Sequence, residues 1–160
     1  MALEIPSLRT LVAGIAGDRE RWQHLVRHDP QQRVFERLLD EPEAEVEAWL
    51  ICWMPGHDTG FHDHDLSSGA VTVIGGSVKE ERLGLGEADT RSRVFLPGET
   101  FDFTSSEIHR VTHAGDEPAV TLHAYSPRLR RMGAYAVARD GALKRHPLGY
   151  GEELRPLQLA

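Results

Sequence analysis

The chain is short of cysteine, of positive charge and of long apolar runs, and each shortage excludes something. Its one cysteine, Cys52, can form no intramolecular disulfide and is consistent with a reducing compartment. Lysine and arginine number 18 against 25 acidic residues, for a formal net charge of -7. That balance lacks the basic footprint of a nucleic-acid binder and suits an anionic membrane surface poorly. The local excess at Arg128, Arg130 and Arg131 reads as a solvated turn. No segment approaches the roughly 20 apolar residues that cross a bilayer. Residues 11–16 are the only apolar stretch near the N-terminus; they are few, follow the acidic Glu4 and lack a small-x-small cleavage site. No signal peptide is expected, and the cytoplasm is the expected location.

What remains is the composition of a globular protein. With 160 residues, 40% of them apolar and 27% charged, one domain can bury a core without staples. The first thirty residues read as helical, with Asp18 placed to cap a helix in which Trp22, Leu25 and Val26 recur at helical spacing, ended by His28-Asp29-Pro30. From there to about Arg139, short β-rich runs alternate with Gly, Pro, Asp and Ser turns. Strands are expected over 34–39, 46–53, 70–74, 77–83, 91–96, 108–112, 119–126 and 133–138. Asp40-Glu41-Pro42-Glu43 reads as a turn, Gly75-Gly76 as a hairpin turn, and 83–89 as a looser connection. The tail from Leu143, with Pro147, Gly149, Gly151 and Pro156, is expected to pack irregularly. These signals predict an all-β, single jelly-roll-like barrel with a short helical N-terminal segment. It forms one domain over 1–160: a preface of about 1–30, a barrel of about 34–139 and a C-terminal segment of 140–160.

The chain holds nine histidines, and their placement matters more than their number. His62-Asp63-His64 puts two imidazoles two residues apart, on one side of an extended strand, where both can face one ion. A third ring must come from a distant strand, and His109, His113 and His123 are candidates. Residues 109 and 113 share a strand face, so periodicity cannot choose between them. Gly56 precedes the pair, Gly69 and Gly76 follow it, and Pro97-Gly98 and Ile108-His109-Arg110-Val111 come later. This pattern resembles the two motifs of the cupin superfamily, the first supplying an H-x-H pair and the second a later histidine. Many cupins carry a glutamate ligand where this chain has Gly69, which leaves three neutral imidazoles and no carboxylate.

The resemblance narrows with Leu50-Ile51-Cys52-Trp53, Gly56-His57, Phe61-His62-Asp63-His64, Gly75-Gly76-Ser77-Val78-Lys79-Glu80-Glu81, Ile108-His109-Arg110-Val111 and the segment from Ala119 to Pro127. Together these are similar to the cysteine dioxygenase type I family, over roughly 34–127. The resemblance implies Fe(II) held on His62, His64 and His109, catalytic roles for His123 and Tyr125, and a supporting role for Thr121, where the family often has serine. It also implies a small thiol and O2 as partners, L-cysteine being oxidised to cysteine sulfinic acid. Thr121, His123 and Tyr125 alternate with Val120, Leu122 and Ala124, so the polar trio shares a strand face and can form a hydrogen-bonded relay. The family's carboxylate-binding arginine falls near Arg37, after a one-residue gap. Arg33 is close by, and an ordinary ion pair to Glu36 or Asp40 also explains Arg37.

Rival readings stand beside this one. Imidazoles suit zinc, copper, iron or nickel, so iron rests on the resemblance alone. A 3-mercaptopropionate dioxygenase typically has glutamine in place of the arginine, and Arg37 tilts the choice towards cysteine. A non-catalytic cupin that binds a metal or ligand belongs to a different class, and the relay speaks against it. His123 also reads as a satisfied core histidine and Tyr125 as barrel packing, while Cys52 reads as buried packing. His24, His28, His57 and His146 are read as non-catalytic, and a monomer is expected, with an oligomer left open.

Overall fold

The structure, a computed structural model, describes residues 1–84 and 91–157. The looser connection expected over 83–89 therefore lies mostly outside the described residues, as does the end of the C-terminal segment at 158–160.

One α-helix, α1 (Ile5–Gly17), opens the chain, with Pro6 in its first turn, where a missing N–H costs nothing. Leu8, Val12 and Ile15 recur at helical spacing and are its buried residues. This corrects the expected helix. Asp18 ends α1, and the residues after it form only two short 3-10 turns, Arg19–Arg21 and Gln23–Leu25. The stripe that prevails is the one that finds a sheet to cover; Trp22 and Leu25 pack at its border.

Among the described residues eleven strands follow: β1 (Val34–Glu41), β2 (Val46–Trp53), β3 (His62–Asp63), β4 (Ser68–Gly75), β5 (Ser77–Arg82), β6 (Arg91–Phe95), β7 (Thr100–Phe103), β8 (His109–Ala114), β9 (Ala119–Ser126), β10 (Arg131–Val137) and β11 (Leu143–Gly149). They form two antiparallel sheets, β1-β2-β9-β4-β7 and β11-β10-β3-β8-β5-β6. The eight expected strands are all present. The short β3 and β7 are additional, and the tail expected to be irregular contributes β11, paired with β10 from Val137–Leu143 to Arg131–Gly149. Pro147 is tolerated there because β11 is an edge strand.

The expected hairpin at Gly75-Gly76 is instead a corner between sheets, since β4 pairs with β7 and β9 while β5 pairs with β6 and β8. Gly76 has φ +61°, and a Cβ there would lie 2.5 Å from the Pro118 carbonyl oxygen.

β2 and β9 are covered on both faces. Val46, Ala48, Leu50 and Cys52, with Val120, Leu122 and Ala124, pack under α1. Ile51 and Trp53, with Ala119 and Tyr125, face Val71, Val73, Phe101 and Phe103 inside the barrel. Cys52 is thus buried in the helix-covered core, where desolvation pushes its thiol up, away from the thiolate. No helix among the described residues is long and apolar enough to cross a membrane.

Asp63 clamps the short β3 to its neighbours. Its carboxylate accepts from the Gly133 amide (3.1 Å), from Arg145 Nε and a terminal nitrogen (2.8 and 2.9 Å) and from the Tyr135 hydroxyl. Burial works to raise this carboxyl, but the hydrogen bonds from Arg145, Tyr135 and the Asp65 amide outweigh it and hold it well below the usual carboxylate range. The clamp's contribution is therefore complete above the unfolded-state value of about 4 and fades as pH falls below it. Asp63→Asn is expected to cost about 1–2 kcal/mol at neutral pH and to flatten the acid limb of the stability curve. Urea midpoints from pH 7 to pH 3 check this; identical slopes in wild type and variant would refute the clamp.

Candidate metal centre

A cavity of about 690 Å³ opens between the sheets, and His62, His64, His109, His123 and Tyr125 all line it. β3 and β8 pair so that His62 lies directly opposite His109, and His64 follows immediately after β3. The three rings sit with centroids 4.6–5.1 Å apart. One ring nitrogen from each falls within 4.8 Å of the others. Burial lowers all three, His62 to about 4 and His64 and His109 well below their ordinary value, with mutual repulsion adding to the effect on the latter two. All three are neutral at pH 7, so each keeps a nitrogen lone pair.

Outer partners decide which nitrogen that is. His62 Nδ1 donates to the Gly60 carbonyl at 3.0 Å, leaving the lone pair on Nε2. His109 Nδ1 meets Glu80 Oε1 at 2.9 Å. His64 Nδ1 is buried with no hydrogen-bond partner among the described residues. Three neutral, converging imidazoles fit a divalent transition-metal ion. His113, the rival third ring, stands outside the cluster, its Nε2 2.7 Å from the Glu117 carbonyl.

Phe103 fills the space where a glutamate is missing. It stacks on His64 at 4.3 Å and 19° and reaches 4.5 Å from His109. A Cβ at Gly69 would lie 2.3 Å from the Phe103 ring, so the glycine and the phenylalanine depend on each other.

The polar face of β9 forms one hydrogen-bonded file. Trp53 Nε1 donates to Thr121 Oγ1 (2.8 Å), Thr121 Oγ1 meets His123 Nε2 (2.7 Å), and His123 Nδ1 meets the Tyr125 hydroxyl (3.1 Å). Burial lowers His123 to about 3 and raises Tyr125, with Glu47 adding to the latter, so the phenol keeps its proton. The Tyr125 ring lies 5.4 Å from that of His64.

Arg37, the expected substrate-binding residue, does not line the cavity. Its guanidinium pairs with Asp40 at 2.7 Å and lies over the rings of Trp49 and Tyr150. Arg37 lies opposite Trp49, on the same face of β1 and β2 as Phe35 and Ile51, but further along the strand, where it is exposed; a bulge follows between Arg37 and Leu39. Arg33, just ahead of β1, turns inward instead. It lines the cavity, its side chain is 3% exposed, and it sits 5.1 Å over Trp53. The carbonyls of Asp58 and Leu154 hold it, with Glu153 at 3.5 Å. Burial lowers its guanidinium to about 10, still cationic at neutral pH. No local spacing separates Arg33 from Arg37; the start of a strand decides. Glu80, also missed, had a weak signal, since it shares the inward alternation of β5 with the fully buried Val78.

Two antiparallel sheets closed around a buried histidine cluster define a cupin barrel with a candidate metal centre. More narrowly, the chain belongs to the cysteine dioxygenase type I family, whose model matches residues 2–138. Cysteine dioxygenase type 1 of Danio rerio is 25% identical over 135 residues, 79% of this chain and 67% of that protein. The chain spans about two thirds of the length of the cysteine dioxygenases it matches. A protein of Klebsiella pneumoniae with a double-stranded β-helix domain superposes with a TM-score of 0.56 at 16% identity, covering 66% of this chain and 80% of that one. A cupin superfamily protein of Desulfitobacterium hafniense gives 0.51 at 13%, covering 65% and 85%. Both likenesses concern the fold.

Gly69→Ala is expected to force Phe103 off His64 and to cost about 1–3 kcal/mol. Adding Phe103→Leu should recover most of that loss, so denaturant midpoints of the two single variants and the double variant check the coupling. Strict additivity would show that position 69 and Phe103 are independent.

Proposed function

We propose that this protein is a non-haem iron(II) thiol dioxygenase that uses O2 to convert L-cysteine to cysteine sulfinic acid. One observation carries the reading: three neutral imidazoles and the Thr121–His123–Tyr125 file open into the same buried cavity. Membership of the cysteine dioxygenase type I family supports it.

His62, His64 and His109 would hold the ion, which when bound would supply positive charge for the substrate sulfur and redox chemistry towards O2, the electrons of the overall oxidation coming from the sulfur. Because all three ligands are neutral, none of that charge is cancelled by a ligand, and a thiol in the cavity is drawn towards thiolate. Arg33 meets the substrate carboxylate, a task suited to a planar cationic fork. Tyr125 keeps its proton on Oη and offers it as a hydrogen bond to the bound substrate. His123 orients Oη through Nδ1, and Thr121 holds the far side of that ring. Trp53, Ile51 and Phe103 line the cavity with apolar surface and keep water from the reacting sulfur.

Oxygen consumption by the iron-loaded protein with cysteine, 3-mercaptopropionate and cysteamine tests the reading. Uptake should be fastest with cysteine, with the sulfinate recovered as product; no uptake with any thiol would sink it, and a preference for 3-mercaptopropionate would move the substrate. Arg33→Gln is expected to raise KM for the carboxylate-bearing thiols at least about tenfold more than for cysteamine, the loss of a charge-assisted pair, while Arg37→Gln leaves the ratio unchanged. The opposite pattern would return the role to Arg37. In a metal assay, His109→Ala should lose the iron that His113→Ala retains; retention by His109→Ala would overturn the ligand set.

A further inference from the structure

We propose that Glu80 is the positioning residue of the metal centre: its carboxylate holds His109 in the Nδ1–H tautomer and so leaves Nε2 as the ligand atom. The inference rests on the reading of His62, His64 and His109 as metal ligands.

The geometry is direct. Glu80 Oε1 and His109 Nδ1 are 2.9 Å apart, with side chains 5% and 2% exposed. The β5–β8 register sets Arg82 opposite His109 and Glu80 opposite Val111, so Glu80 lies diagonally across from His109 on the same inward face. Arg82 Nε donates to the same Oε1 at 3.1 Å, which steadies the carboxylate from its other side. Arg82 itself has Glu107 at 2.6 Å and the Asp102 carbonyl, so it does not need Glu80 for its own satisfaction. A buried carboxylate is costly unless something requires it, and what Glu80 touches besides Arg82 is the metal-facing ring.

The three rings are therefore unequal. His62 leans on a backbone carbonyl, His64 on nothing among the described residues, and His109 on a buried glutamate. A carboxylate accepting from imidazole Nδ1–H fixes the tautomer and ring orientation and makes the opposite nitrogen a better donor to a metal.

Cobalt(II) is the probe, competed against a chelator on the full chain. Glu80→Gln keeps the volume and removes the charge; it is expected to weaken Co(II) binding about 10- to 100-fold and to shift the visible absorption of the cobalt form. Unchanged affinity and spectrum in a variant that is folded by circular dichroism would overturn the proposal. Imidazole ¹⁵N NMR of the metal-free wild type provides a second readout that needs no variant. His109 should show the Nδ1–H tautomer, and an Nε2–H tautomer would overturn the proposal even if Glu80→Gln failed to fold. His109→Ala, measured alongside, separates the two failures. Undiminished cobalt affinity there would remove His109 as a ligand, whereas undiminished affinity in Glu80→Gln alone removes only the positioning role.

Discussion

Three imidazoles buried within 4.8 Å of one another can coexist only without charge, and much of this structure follows from that constraint. Desolvation strips each ring of its proton, and the rings oppose one another's protonation. What burial leaves is a cluster of lone pairs pointing at a common space, which a divalent ion completes. The surroundings are arranged accordingly. Charge is kept off the three rings, and carboxyl groups stand beside them, Glu80 behind His109 and Asp63 on the opposite side of β3. An apolar ring, Phe103, fills the remaining face.

The double burial of β9 makes this arrangement rigid. Its apolar alternation packs under α1, and its polar alternation carries His123 and Tyr125 to the cavity, with Thr121 buried behind them. A relay on a strand with one face in water would have mobile side chains and competing solvent partners. Here both neighbours of β9 are central strands, every residue of it is buried, and each hydrogen-bond partner along the file is protein. The small N-terminal helix therefore supports the chemistry: without it the apolar side of β2 and β9 would be exposed.

The arginines illustrate how fine the decision between positions can be. Arg33 and Arg37 are four residues apart on one alternation, yet the first turns into the cavity ahead of β1 while the second lies further along, opposite Trp49 and exposed. The outward one finds Asp40 and two aromatic faces; the inward one becomes the buried cation of the cavity, held by two backbone carbonyls. Part of that hold comes from Leu154, in the tail beyond β11, so the C-terminal segment helps to shape the cavity.

Much of the molecule was legible in the residues themselves. The alternation of Val120, Leu122 and Ala124 with Thr121, His123 and Tyr125 determines which side chains share a face, because the strand period is two whatever surrounds it. The two-residue spacing of His62 and His64 determines, by the same rule, that both rings point one way. Other features needed the folded chain. Whether His109 or His113 completes the cluster, whether Arg33 or Arg37 enters the cavity, and that Glu80 stands behind His109 depend on how the strands meet. Register is set by contacts between residues distant in sequence, so local spacing holds no record of it. The sequence by itself determined the faces; only the tertiary structure decided which faces meet.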